Sequence, residues 1–357
     1  MGRVHAARGG RRSQPVRSVS GAAARARIDQ LQQQLAQRQA EIEALQERLR
    51  HAVEITSDKR NEFATVAQAE GVSLSVARRL FRVVGGPAPP PRVPTLGLAT
   101  LDVEIAAEIG MLAAWQVPAV EGVTGRWAIL VHGRGAQRGE CLRAVPVLHD
   151  LGFTALIPSY RNDIGAPSSS DGRYSLGLSE WRDLEAAILY AVENGAQEIV
   201  LFGYSMGAAI ILQTLDRSWL SDRVSAVVLD APVIDWSDVL RHHGALNKIP
   251  GPVGRLSRSL IGRRWARRLV GVHEPIDVAL TNWEHRAGEL THPTLLIHSL
   301  DDEFVPVGPS ISLAAKRPDL VRFEPWREAR HTHEWNVDPE RWDAVVRSFL
   351  TDRVQPA

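Results

Sequence analysis

The stretch that most constrains this chain runs from Val200 through Gly203, Tyr204, Ser205, Met206 and Gly207 to Ala209. From Glu198 onward the residues turn apolar in the manner of a buried strand, and Ala208 to Leu212 reads as the start of a buried helix. Between them stand Gly203, Ser205 and Gly207 in a Gly-x-Ser-x-Gly spacing. A strand that reverses into a helix within one residue forces that residue into a strained, exposed turn. The neighbours two positions away must lack bulk, because strand and helix approach closely there. This is a nucleophile elbow. The helix that follows adds free N–H groups and positive potential beside the serine.

At 357 residues the chain is long enough for one large α/β domain plus an appendage. The formal net charge of +1 predicts no nucleic-acid partner. Its distribution is uneven: the first 27 residues hold seven arginines and no acid. Cys141 is the single cysteine, which excludes an intrachain disulfide. No apolar run approaches the roughly 18–20 residues of a membrane helix, and no apolar signal-peptide core opens the chain. The expectation is a cytoplasmic protein, although an Arg-rich, acid-free leader is also the composition of a transit segment.

Residues 1–27 read as a disordered basic tail. In the helical extension over residues 28–84, Ile28, Leu31, Leu35, Ile42, Leu45 and Leu49 fall on a and d positions of a heptad register. That seam, over residues 28–53, is compatible with a coiled-coil homodimer. The plainer reading is one amphipathic helix folded back on the main domain. Residues 61–84 are similar to a helix-turn-helix, with Gly71 in the turn and Ser73 or Ser75 as cap, or are two short helices packing on the main domain. Residues 85–97 form a Pro-rich linker that cannot be helical.

From residue 98 to 357, short apolar runs alternate with helical spacing. Leu101–Ala106, Met111–Val117, Trp127–His132, Phe153–Pro158, Val224–Leu229, Thr294–His298 and Leu320–Phe323 read as strands beside the elbow strand, and Ser179–Asn194 as a helix. This alternation predicts a mostly parallel sheet covered on both faces. Residues 233–290 break it and predict a small helical cap. Residues 241–270 carry eight basic side chains and no acid, a charge suited to an anionic substrate or surface or, more plainly, to solvated helix faces.

A serine hydroxyl needs a base to take its proton and an acid to orient that base. Behind a nucleophile elbow the chain order is serine, acid, histidine. Asp301 and Asp302 follow the strand Thr294–His298, Asp230 follows the strand after the elbow, and His331 and His333 lie in the loop after the last strand. From residue 98 to 352 the chain resembles the α/β-hydrolase superfamily. His298 to Pro306 is similar to that superfamily's His-Gly-x-x-Asp-x-x-Val-Pro, with Ser299 in place of the glycine. The resemblance implies Asp302 as the acid and His331 as the base, although Arg330 stands where a glycine usually precedes the histidine.

An oxyanion hole needs two backbone N–H groups. Met206, directly after the serine, is one expected donor. By resemblance to His-Gly-x-Gly hydrolases, Arg134 in His132-Gly133-Arg134-Gly135 supplies the other. Gly133, Tyr204 and Arg161 are the substrate-binding candidates, and the alternative for Arg161 is a structural pair with Asp163. Further stretches, among them Trp115 to Pro118, Tyr160 to Asp163 and His331 to Asn336, resemble a bacterial branch related to prolyl-oligopeptidase-like and dienelactone-hydrolase-like enzymes. The resemblance implies a cofactor-free, metal-free serine hydrolase acting on a small ester, or a peptide or amide. Two other readings are a regulator that uses the fold as a ligand pocket and the N-terminal helices to dimerise or bind DNA, and a protein attached to membrane surfaces by its basic segments.

Overall fold

A computed structural model describes residues 96–353, apart from residues 122, 124 and 271. The basic tail, the heptad segment, the helix-turn-helix-like stretch and most of the linker lie outside the described residues. Among the described residues, no helix is long and apolar enough to cross a membrane.

Eight strands form one sheet: β1 (Leu101–Ala107), β2 (Gly110–Val117), β3 (Arg126–Val131), β4 (Thr154–Pro158), β5 (Glu198–Tyr204), β6 (Val224–Asp230), β7 (Thr294–Ser299) and β8 (Val321–Trp326). Their order is β1-β2-β4-β3-β5-β6-β7-β8. β2 runs antiparallel to β1 and β4, and every other pairing is parallel. The helices are α1 (Val145–Asp150), α2 (Trp181–Glu193), α3 (Met206–Arg217), α4 (Trp236–Leu246), α5 (Gly251–Ile261), α6 (Arg267–Val270), α7 (Gly308–Lys316), α8 (Glu334–Val337) and α9 (Pro339–Arg353). The expected α/β-hydrolase fold is the observed one.

Strand side chains alternate between two cores, as a pleated sheet buried on both faces requires. Ile129, Val131, Leu201, Val227, Leu229 and Leu296 pack with α2 and α3 residues such as Leu184, Ile188 and Ile211. Leu130, Val200, Phe202, Val228 and Ile297 pack with α1 and with Trp342, Val346 and Phe349 of α9. Phe202 meets the Trp342 ring at 5.6 Å. Pro339 opens α9, and the Asp338 carboxylate accepts the Arg341 N–H at 3.0 Å as an N-terminal cap.

Two expected strand ends differ in detail. His132 lies beyond the end of β3, because β3 pairs with β5 only as far as Val131 and Gly203. β8 continues to Trp326, paired with Ser299. The short helices α1 and α7, each with proline near its start, span too few turns to show a hydrophobic period. Between β6 and β7 lie α4, α5, α6 and two 3₁₀ turns. The outward side chains there include Leu256, Trp265 and Leu269 as well as Arg255, Arg263 and Arg264.

Candidate active site

Ser205 sits between β5 and α3 at φ 52°, ψ −114°, a region an L-residue occupies only under strain. The strain holds because both flanking glycines are obligatory. A Cβ on Gly207 would stand 2.1 Å from the Val131 carbonyl oxygen, and one on Gly203 would stand 2.7 Å from the Ala208 nitrogen. The Ser205 N–H donates to the Asp230 carbonyl at 3.0 Å, which ties the elbow to the end of β6.

Two loops at the same edge of the sheet meet the serine. His331, after β8, places Nε2 at 2.8 Å from Ser205 Oγ and Nδ1 at 2.7 Å from Asp302 Oδ2. A carboxylate only accepts, so Nδ1 carries the proton and Nε2 presents a lone pair to the serine hydroxyl. Asp302, after β7, has a fully buried side chain. Its other oxygen accepts the N–H groups of Phe304 and Val305 at 2.8 and 2.9 Å. Burial works to raise the Asp302 carboxyl, but hydrogen bonds from His298 and His331 outweigh it and hold the group well below the usual carboxylate range. His298 faces Asp302 and the Val305 carbonyl through Nε2, each at 3.2 Å, and Ser310 Oγ through Nδ1 at 2.8 Å.

The structure brings Ser205, Asp302 and His331 together and leaves the alternative candidates elsewhere. Asp301 is exposed and accepts the Glu328 N–H. The Nδ1 of His333 lies 2.7 Å from the His331 carbonyl oxygen. Asp230 points into the core, where Trp342 Nε1 donates to it at 3.0 Å. Beside it, Glu334 accepts the Ser299 N–H at 2.9 Å. Burial, then the Asp230 charge, pushes the Glu334 carboxyl well above its ordinary value.

On the other side of the serine runs the loop after β3. His132 is fully buried, with Nε2 at 2.9 Å from Asp163 Oδ2 and Nδ1 at 3.0 Å from the Gly133 carbonyl oxygen. Both ring nitrogens face acceptors, which suits an imidazolium. Burial alone would lower its pKa, but the Asp163 charge and hydrogen bond raise it above the ordinary value. The Gly133 N–H donates to Glu140 Oε2 at 2.6 Å, and Gly135 takes φ 68°. Arg134, between the two glycines, is exposed. Met206 begins α3 and is fully buried.

Two of the substrate-binding candidates are engaged elsewhere. The Tyr204 side chain is wholly buried against Phe202, at 5.5 Å between rings, because β5 alternation turns it into the α9-side core. Arg161 is buried and grips Asp183 of α2 with Nε and Nη2, both at 2.8 Å, while Asp183 also accepts its backbone N–H. Asp163 partners His132 and not Arg161. Gly133 alone of the three lies at the serine: a Cβ there would stand 3.2 Å from Ser205 Cβ.

Sequence reasoning missed Glu140, Arg143, His298 and Phe304. The Phe304 ring, half exposed, lies 5.1 Å from the His331 ring and 4.4 Å from that of His243 on α4. His242 and His243 place Nε2 within 2.9 Å of the carbonyl oxygens of Glu303 and Phe304. His298 opens the motif that carries Asp302, but its contact with that acid, like the placement of Glu140, Arg143 and Phe304, depends on how the loops meet in space.

The uncharacterised Mycobacterium tuberculosis protein Rv2307c is 24% identical over 299 residues, covering 80% of this chain and 92% of that protein. The esterase Pf2001 of Pyrococcus furiosus superposes with a TM-score of 0.57 at 19% identity, covering 74% of this chain and 97% of that one. The acylaminoacyl peptidase of Pyrococcus horikoshii gives a TM-score of 0.53 at 17% identity, covering 73% of this chain and 42% of its own. At such identities these likenesses show the fold. The alpha/beta hydrolase family model matches residues 128–348, which include the elbow, the acid loop and the histidine loop: the chain belongs to the alpha/beta hydrolase family.

Proposed function

We propose that the chain is a serine hydrolase that cleaves carboxylic esters through an acyl-enzyme. The observation that carries the reading is the continuous relay from Ser205 Oγ through both His331 nitrogens to Asp302, at 2.8 and 2.7 Å. His331 Nε2 takes the hydroxyl proton as Oγ attacks the acyl carbon. The buried Asp302 carboxylate orients the ring and offsets the charge it gains. The Met206 and Arg134 amides hold the oxyanion, which collapses as His331 returns the proton to the leaving alcohol. Water, deprotonated by the same nitrogen, then releases the acid and restores Ser205.

Esters are favoured over amides because the ester carbonyl is less resonance-stabilised and an alkoxide is a far better leaving group than an amide anion. The esterase among the similar structures supports the same choice, and the peptidase among them makes an amide the second class. The test is hydrolysis of p-nitrophenyl esters of graded acyl length by wild type and Ser205→Ala, with fluorophosphonate labelling of Ser205. Activity and labelling in the wild type, both lost in the variant, support the reading. A wild type inert to the panel and to the probe sinks it, and would turn attention to a ligand-sensing role.

A further inference from the structure

Segments that follow or end β3, β5 and β8 meet around Ser205, and one side chain from the turn after β3 reaches the other two. Arg143 lies in the 3₁₀ turn Arg138–Ala144. Its Nη1 donates to the carbonyl of Thr332, the residue after His331. Thr332 is buried and takes φ 57°, so its carbonyl direction is set by strained backbone. The Arg143 guanidinium also lies 4.8 Å from the ring centre of Tyr204, the residue before the serine. Arg143 Nε donates to the Glu140 carbonyl at 3.0 Å, and Nη2 stands 3.9 Å from Glu140 Oε1. The other Glu140 oxygen accepts the Gly133 N–H at 2.6 Å, one residue before the Arg134 amide.

We infer that Arg143 and Glu140 act as one positioning unit that holds the oxyanion-hole loop and the His331 loop in register about Ser205. The inference rests on the serine hydrolase reading. Neither side chain touches the reacting atoms. Glu140 restrains the His132–Gly133 peptide plane, one before the plane that carries the Arg134 amide, and Arg143 restrains the Thr332–His333 peptide plane, one beyond the plane that leaves His331. The guanidinium suits the task because its donors diverge in a rigid plane; a lysine has one nitrogen and cannot reach Glu140 and Thr332 with the same geometry. Displacing either loop by a fraction of an ångström lengthens the Ser205–His331 contact or turns an oxyanion donor away, and such shifts cost rate more than binding.

The experiment compares Arg143→Met, Arg143→Lys, Glu140→Ala and Glu140→Gln in the full chain. It follows kcat and KM on p-nitrophenyl acetate, fluorophosphonate labelling and thermal melting. Arg143→Met and Glu140→Ala are expected to lower kcat by about 30- to 100-fold, in the range a small misplacement causes, with KM held within about threefold. Glu140→Gln keeps an oxygen for the Gly133 N–H and restores most of kcat, whereas Arg143→Lys does not restore it. Because the two residues act as a unit, the double variant is expected to be no slower than the slower single one. A folded Arg143→Met with wild-type kcat, or a loss confined to KM, overturns the inference. Should Arg143→Met fail to fold, unchanged kcat in both Arg143→Lys and Glu140→Ala overturns it equally. Proton NMR of the His331 Nδ1–H, in the Ser205→Ala background, separates this inference from the proposed activity. The resonance depends on the His331–Asp302 contact alone, and should broaden or vanish in Arg143→Met even if no ester is ever cleaved; an unchanged resonance counts against the unit.

Discussion

His132 and Asp163 form an ion pair at 2.9 Å with both side chains all but sealed from solvent. The pair stands at the point where β3 gives way to the loop of Gly133, Arg134 and Gly135. Its pH dependence follows from the direction of the His132 shift. A histidine whose folded pKa is raised contributes stability that is fully present below its unfolded value of about 6.5 and fades as pH rises through the folded value. Asp163→Asn should therefore lower the melting temperature most on the acid side of about pH 6.5, where breaking a buried pair costs about 3–5 kcal/mol, and the gap should narrow at higher pH. A gap that widens as pH rises would refute the assignment of an imidazolium.

The acid side of the relay gives a second expectation. Asp302→Asn should reduce kcat by about 10⁴-fold, since an amide leaves the imidazole without the partner that selects its tautomer. Asp230→Asn, altered at a core position, should keep kcat within about tenfold, because no reacting group touches its side chain. Equal losses in the two variants, measured on one short ester, would return Asp230 to the list of acids.

For the histidines the contrast is sharper. His331→Ala should abolish fluorophosphonate labelling, whereas His333→Ala should label at a rate within about fivefold of wild type, as expected for a residue that does not exchange the proton. Persistent labelling of His331→Ala would remove it as the base.

The elbow glycines test the backbone argument. Gly207→Ala places a methyl group 2.1 Å from one backbone oxygen and 2.8 Å from another. Neither can move without parting β3 from α3, so the variant should lose more than about 4 kcal/mol or fail to fold. Gly135→Ala meets nothing within 4 Å and faces only its positive φ, a cost of about 1–2 kcal/mol. Urea unfolding of both variants checks the order, and a Gly207→Ala as stable as Gly135→Ala would contradict the close approach.

How legible this was from sequence varied with the range of the interactions. The elbow was readable because its requirements are local: two glycines, one serine, and the change of period from strand to helix. Asp302 and His331 were readable because they follow strands whose order is regular. The side chains of Tyr204 and Arg161 are engaged away from the serine for opposite reasons. Tyr204 adjoins the serine in sequence, yet strand alternation turns it to the far face. Arg161 stands at the right edge of the sheet, but Asp183, 22 residues on, claims its guanidinium. No spacing rule announces a partner at that distance. Arg143 was unreadable for the same reason, since it meets the carbonyl of Thr332, 189 residues on, and Glu140 was unreadable because its contact with Gly133 depends on the turn between them.

Cys141 lies in the same turn, between Glu140 and Arg143, and is completely buried. Burial, reinforced by the Glu140 charge, pushes its thiol well above the ordinary range, so it is inert while the turn is closed. Because the chain has one cysteine, the rate at which a thiol reagent modifies the folded protein reports the exposure of this turn. That rate, read with and without an ester analogue on the serine, would report how often the turn comes apart between turnovers.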